Sequence, residues 1–221
     1  PLYAISVIAM EERTEIFSGL SLNTSLLSAD TPAPHTLIIP GGLGVHELYK
    51  SPRFTELVAH MNKAKRLVAV CIGTFALEAA GKLEGLKVTT HWSAYDELEQ
   101  RFPELSVQRG PIYIRDGNIW TSAGITSGID LALSLVEQDL GHSVALQVAK
   151  HLVIFLKRPG NQEQFSSSLK LQTSSSHFSD LHAWINRNLE MNLSISLLAN
   201  FMNMTERTFI RKYTVETGRT P

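Results

Sequence analysis

Residues 67–83 read L-V-A-V-C-I-G-T-F-A-L-E-A-A-G-K-L. A short continuous apolar run gives way, across Cys71-Ile72-Gly73, to apolar residues at helical spacing, which predicts a buried strand turning sharply into a helix over 75–83. That layout is a nucleophile elbow: the turn lifts one side chain, here Cys71, above the carboxyl edge of a sheet and beside a helix N-terminus. The amide dipoles there are expected to lower the thiol pKa and favour thiolate. Gly41 and Gly42 close another apolar run, T-L-I-I-P at 36–40, and are placed to offer backbone amides to an oxyanion. The same residues also suit a buried structural cysteine, and spacing alone leaves both readings open.

Working outward, strands are predicted at 2–10, 36–40, 67–71 and 87–90, with a hairpin of 112–115 and 118–122 around Asp116-Gly117. Helical spacing covers 53–64, 93–101, 126–138 and 143–156. Strands alternating with helices predict an α/β fold with a mostly parallel sheet sandwiched by helices. R-P-G-N at 158–161 breaks the last helix, and serine-rich stretches at 166–168 and 173–176 read as a flexible linker. The expected organisation is therefore a domain at 1–157, a linker at 158–177 and a small all-α segment at 178–221.

That last segment carries its own signature. A helix at 178–189 places Leu181, Trp184, Ile185 and Leu189 on one stripe, with Trp184 packing under the two helices C-terminal to it. Leu193, Ile195, Leu198, Ala199 and Met202 form a second stripe. Asn203 sits at a turn, where its tolerance of the left-handed conformation is useful. Thr205 is placed to cap a new helix, and Glu206 puts a carboxylate in its first turn. Phe209 and Tyr213 face the preceding helix, Arg207, Arg211 and Lys212 face outward, and Gly218 and Pro221 end the run. The shape is a helix-turn-helix; an ordinary helical hairpin with a solvated basic face shares the same periodicity.

Composition narrows the classes. The chain has 221 residues, 43% hydrophobic and 19% charged, with a net charge of −1, so nothing in the total marks a nucleic-acid binder and the DNA reading rests on local pattern. One cysteine rules out an intrachain disulfide and a cysteine-based metal cluster. No stretch approaches the roughly 20 apolar residues of a membrane span, no secretory signal is visible, and a cytoplasmic setting is expected. No histidine spacing supports a metal site, and no cofactor is expected.

The residue patterns resemble known families. L-S-I-S-L-L-A-N-F-M-N-M-T-E-R-T-F-I-R-K-Y, followed by G-R-T-P, resembles the first helix-turn-helix of AraC-type transcription regulators, with Asn203 and Thr205 where those proteins usually have Gly and Ser. V-A-V-C-I-G-T-F-A-L-E-A-A-G-K-L-E-G-L-K-V-T-T-H-W resembles ThiJ/PfpI members of the class I glutamine amidotransferase-like superfamily. Together with T-L-I-I-P-G-G, D-G-N-I-W-T-S-A-G-I-T-S-G-I-D-L-A-L and K-R-P-G-N-Q-E-Q-F-S, it is similar to GlxA-like regulators, which fuse such a domain to an AraC-type reader. The resemblance implies a flavodoxin-like sensing domain, a small metabolite effector that is amino-acid-like or a quaternary ammonium compound, a homodimer, and operator DNA as partner. It implies DNA contact by Thr205, Glu206, Arg207, Thr208, Arg211 and Lys212; Arg207 pairing instead with a neighbouring carboxylate is the alternative.

The candidate ligand pocket comprises Gly41, Gly42, Cys71, Ile72, Thr74, His91, Trp92, Ser122 and Thr126. Trp92, Tyr95 and Trp120 are aromatic faces for a cation or ordinary packing residues. PfpI-type hydrolases carry a His directly after the cysteine, and here that position is Ile72, although superfamily enzymes that lack this His also exist; a thiol nucleophile needs a base within reach. Catalysis is therefore not expected, and Cys71 reads as a vestigial nucleophile. A cysteine-dependent hydratase or hydrolase is the alternative, and a dimer-forming structural partner a third. Relative to the family, a first strand region bearing an acidic residue and a second helix-turn-helix are expected beyond the two ends, so that this piece alone is expected to bind DNA weakly or not at all.

Overall fold

The computed structural model describes residues 2–16, 19–157, 162, 178–217 and 220–221. They fall into two compact units, Pro1–Gln162 and Glu163–Pro221. The first is organised by a four-stranded sheet in which β5 (Thr36–Ile39), β6 (Arg66–Val70) and β10 (Ile119–Ser122) run parallel, in that order, with β9 (Tyr113–Asp116) antiparallel at the edge. β9 and β10 form the expected hairpin, and Gly117 takes the left-handed conformation its turn requires (φ 59°).

Strand periodicity assigns the two faces. Leu37, Ile39, Leu67, Ala69 and Ile119 point to one side, where Leu57 and Met61 of α2 (Phe54–Lys63) and Phe75 and Leu77 of α3 (Gly73–Ala79) complete the main core. Val68 and Trp120 point to the other side and pack with Leu131 and Leu135 of α5 (Ile125–Leu140). Near-continuous burial along β6 follows from cover on both faces. The unit is thus an α/β sandwich of flavodoxin type. Around it lie α1 (Val45–Leu48), α4 (Tyr95–Arg101) and α6 (His142–Leu152), and the strand pair β7 (Lys87–Val88) with β8 (Ser106–Val107). Near the amino ends of the parallel strands, Arg66 is buried in a two-pronged ion pair with Asp139 (2.7 and 2.9 Å) and donates through Nε to Thr36.

Several boundaries differ from expectation. The strand expected at 2–10 shrinks to β1 (Ile8–Ala9), paired parallel with β4 (Ser25–Leu26). Residues 2–7 are exposed, and alternating hydrophobicity without a neighbouring strand leaves backbone groups to solvent. β2 (Arg13–Glu15) and β3 (Ser21–Asn23) form a hairpin that was not anticipated, as were α1 and β8. The helix expected at 143–156 stops at Leu152 because Val153 adopts a left-handed conformation (φ 56°). Of the expected linker 158–177, all but Gln162 lies outside the described residues, as does Gly218.

The second unit contains α7 (Ser179–Arg187), α8 (Ile195–Phe201) and α9 (Glu206–Thr217). Its core is Phe178, Leu181, Leu198, Ala199 and Phe209, with Trp184, Ile185, Met202 and Tyr213 packed against it. The Phe178 ring meets Phe209 edge-on at 5.9 Å, and Trp184 lies over Phe201 at 4.9 Å. Leu189, expected on the α7 stripe, is instead exposed beyond the end of that helix.

Candidate functional site

Cys71 sits at the carboxyl end of β6 with φ 58°, a conformation few non-glycine residues adopt. Its amide donates to Ser122 O (2.8 Å), extending the β6–β10 pairing by one bond. Its carbonyl accepts from two hydroxyls, Thr90 (2.8 Å) and Thr74 (3.1 Å). The neighbouring glycines are dictated by close approach. A Cβ on Gly41 would lie 2.6 Å from Cys71 Cβ and 3.2 Å from its sulfur, and one on Gly73 would lie 2.5 Å from Ile39 O. Gly42 has φ 133°. The ends of β5, β6 and β10 thus converge on one half-buried thiol, at the carboxyl edge where open α/β sheets place ligands.

The electrostatics correct one expectation. Burial pushes the Cys71 thiol up, and the opposing hydrogen bond from the Ile72 backbone is the smaller effect. Among the described residues no imidazole or carboxylate makes a hydrogen bond with the Cys71 sulfur. His91 accepts at Nδ1 from the Ser93 amide (3.4 Å) and lies 2.7 Å from its hydroxyl, so Nε2 carries the proton of the neutral ring. Burial holds its pKa below the ordinary histidine range. The ring packs on the start of α5, where a Cβ on Gly124 would meet Cδ2 at 3.1 Å.

The remaining expected pocket residues divide. Thr74 is fully buried and Ile72 partly so, packed on the main core. Trp92 is 49% exposed beside His91, their rings 5.3 Å apart. Thr126 lies on the exposed side of the first turn of α5. Ser122 is completely buried, and it is its carbonyl that meets Cys71, while its hydroxyl finds no partner. Tyr95 is buried with its hydroxyl on Arg109 O, and Trp120 is core beneath Arg115.

Two groups were missed from sequence. His46 of α1 packs its ring edge-on against Phe75 (5.1 Å) and contacts the Tyr49 hydroxyl (2.9 Å), with Glu97 at 3.9 Å. Gln162 is 95% buried by accessible surface and bonded beside the elbow. No motif spacing announces either. A cavity of about 300 Å³ lined by His35, Lys65, Arg66, Arg115 and Trp120, among others, lies at the opposite, amino end of the strands. Among the described residues no cluster of His, Cys, Asp or Glu is arranged to hold a metal, and no helix is long and apolar enough to cross a membrane.

In the second unit, Ser194 caps α8 by accepting from the Leu197 amide (3.2 Å), and Asn203 makes the turn at φ 53°. The Thr205 hydroxyl accepts from the Thr208 amide (3.4 Å) and donates to the Thr208 hydroxyl (3.0 Å), so both threonines are engaged in the cap. Phe209 is buried against α8. Glu206, Arg207, Arg211 and Lys212 are exposed, and among the described residues the three cations form no ion pair. Arg207 and Arg211, four apart, share one outward row, whereas Lys212 lies about 100° further round the helix.

A sharp strand-to-helix turn bearing cysteine on a parallel sheet is followed in the same chain by a capped helix-turn-helix. The chain belongs to the DJ-1/PfpI family, which it matches over residues 5–138. It is 26% identical over 197 residues to the HTH-type transcriptional regulator GbdR of Pseudomonas aeruginosa, covering 88% of this chain and 53% of that protein. It is 35% identical over 136 residues to an isonitrile hydratase of Pseudomonas putida, covering 61% and 58% respectively. The crystal structure of a ThiJ/PfpI family protein from Pseudomonas syringae superposes with a TM-score of 0.60 at 28% identity, covering 71% of this chain and 64% of that one. The chain therefore spans little more than half the length of the curated relatives it matches. Its similarity to the regulator extends well past the α/β unit.

Proposed function

We propose that this chain is part of a sequence-specific DNA-binding transcription regulator whose DJ-1/PfpI unit senses a small metabolite at the Cys71 elbow. The observation that carries the reading is the pairing, in one chain, of that unit with a helix-turn-helix whose α9 presents Arg207 and Arg211 outward and, among the described residues, without an ion pair. The metabolite shifts the population of states competent for operator binding. Trp92, exposed beside neutral His91, supports an amino-acid-like or quaternary ammonium effector. A homodimer in the cytoplasm completes the reading. Arg207 and Arg211 contact bases or phosphate, with Glu206 beside them, and Lys212 contacts phosphate.

The test is a gel-shift titration of the protein from its complete reading frame against DNA selected from a random pool. Arg211→Ala is expected to weaken binding by about tenfold or more, and wild-type affinity in that variant would overturn the assignment.

The hydratase relative and the shared elbow favour a second reading, cysteine-dependent hydration or hydrolysis. Burial of the thiol and, among the described residues, the lack of a hydrogen-bonded base argue against it. Turnover of an isonitrile that disappears in Cys71→Ala, with an alkylation pKa below that of free cysteine, would establish it over sensing alone.

A further inference from the structure

Gln162 belongs to the K-R-P-G-N-Q-E-Q-F-S stretch, a motif that neither ligand binding nor DNA reading explains. Its backbone amide donates to Gly110 O (2.9 Å). Its side-chain Nε2 lies within hydrogen-bond distance of three acceptors: Pro111 O (2.7 Å), Thr89 Oγ1 (3.0 Å) and Thr90 O (3.3 Å). An amide nitrogen has two protons, so three acceptors compete for two bonds. The opposite atom, Oε1, is buried without a partner, an unsatisfied acceptor that makes the arrangement costly to hold. Such a network has more than one accessible pairing and responds to small displacements of its acceptors.

One of those acceptors belongs to the residue that grips the elbow. Thr90 presents its carbonyl to Gln162 and its hydroxyl to Cys71 O (2.8 Å). Thr74 ties Cys71 O to Thr89 O through one hydroxyl (3.1 and 3.2 Å). A continuous set of hydrogen bonds therefore runs from Cys71 through Thr90 to Gln162. Gln162 is also the last residue of the first compact unit, and the second unit begins at Glu163.

We infer that Gln162 is the positioning residue that couples the elbow to the chain leading into the DNA reader. An occupant of the elbow that shifts Thr90 exchanges the Gln162 pairings and changes how firmly the chain is anchored at its exit. The inference rests on the reading of the elbow as an effector site, but its test requires neither a natural effector nor DNA.

The probe is iodoacetamide, whose transfer of a carboxamidomethyl group to the Cys71 sulfur, with loss of iodide and the thiol proton, fills the elbow. The readout is the rate of tryptic cleavage after Lys170, the single lysine or arginine between Glu163 and His177. Alkylation is expected to change that rate by about fivefold or more in the wild type, and Gln162→Leu is expected to abolish the response. Because Gln162 bonds the Thr90 carbonyl and Thr90 grips Cys71 O, Gln162→Leu is also expected to alter the alkylation rate of Cys71. Thr90→Val, which deletes the hydroxyl yet keeps the shape, is expected to be equally unresponsive and serves if Gln162→Leu does not fold. An unresponsive wild type, or an undiminished response in either folded variant, would overturn the coupling. If the response is Gln162-dependent while no metabolite binds the elbow, the effector reading fails and the coupling stands.

Discussion

The two units build their candidate sites by opposite routes. In the helix-turn-helix unit the outward cations Arg207 and Arg211 lie on one helix, four residues apart, held by Phe209 and by the caps at Ser194 and Thr205. In the α/β unit the elbow is assembled from Gly41, Cys71, His91 and Gly124, brought together from separate strand ends, with Gln162 bonded beside it. A local site tolerates substitutions that leave its helix intact. An assembled site is exposed to any change that separates the ends of the strands.

The sharpest way to break this contrast is Gly73→Ala. The added methyl meets Ile39 O at 2.5 Å, and backbone does not yield as a side chain does. The variant is expected to lose about 3 kcal/mol or more in urea unfolding, whereas Gly44→Ala, with open space around it, is expected to stay within about 1 kcal/mol of wild type. Equal losses would refute the close-approach argument.

Phe209→Ala is the counterpart in the reader. It empties the centre of a small core and is expected to cost about 3 kcal/mol, with loss of DNA binding though no outward residue changes. Thermal denaturation and gel shift together check this.

Asp139→Asn removes the partner of buried Arg66 and is expected to cost about 2 kcal/mol, below the full penalty of a buried pair because Asp139 is partly exposed. The hydrogen bonds from Arg66 hold the Asp139 carboxyl below the ordinary aspartate range. Its contribution is therefore complete above the unfolded pKa of about 4 and is lost as pH falls through the lower folded value. Acid titration of stability should accordingly be shallower in Asp139→Asn than in wild type.

The smallest effect is expected at Asn203. Asn203→Ala should cost about 1 kcal/mol at φ 53°, whereas Asn203→Gly should be close to neutral. Thermal melts that rank the two the other way would show that the Asn203 side chain, not the turn, matters.

How much could be read from sequence tracks how local each feature is. The β6 run into Cys71, the Asp116-Gly117 hairpin, the left-handed Asn203 and the Thr205 cap are each governed by a few neighbouring residues, and each was legible. The β2–β3 hairpin and β8 were not, because short strands carry little periodicity and are defined by their partners. The end of α6 at Val153 was hidden because a β-branched residue is a poor candidate for a left-handed cap. Gln162 sat inside what reads as a polar linker, and only the acceptors offered by Thr89, Thr90 and Pro111 reveal that it is buried.

By itself the sequence determined the order of the main elements, the elbow and the helix-turn-helix, because strand and helix periods, turn residues and caps act over a few residues. Tertiary structure alone decided that burial outweighs the local amides at the Cys71 thiol, that Gly41 and Gly73 have no room for a methyl, and that Gln162 is fastened to the elbow network. Desolvation, steric clearance and long-range hydrogen bonds depend on residues distant in the chain, and no local pattern encodes them.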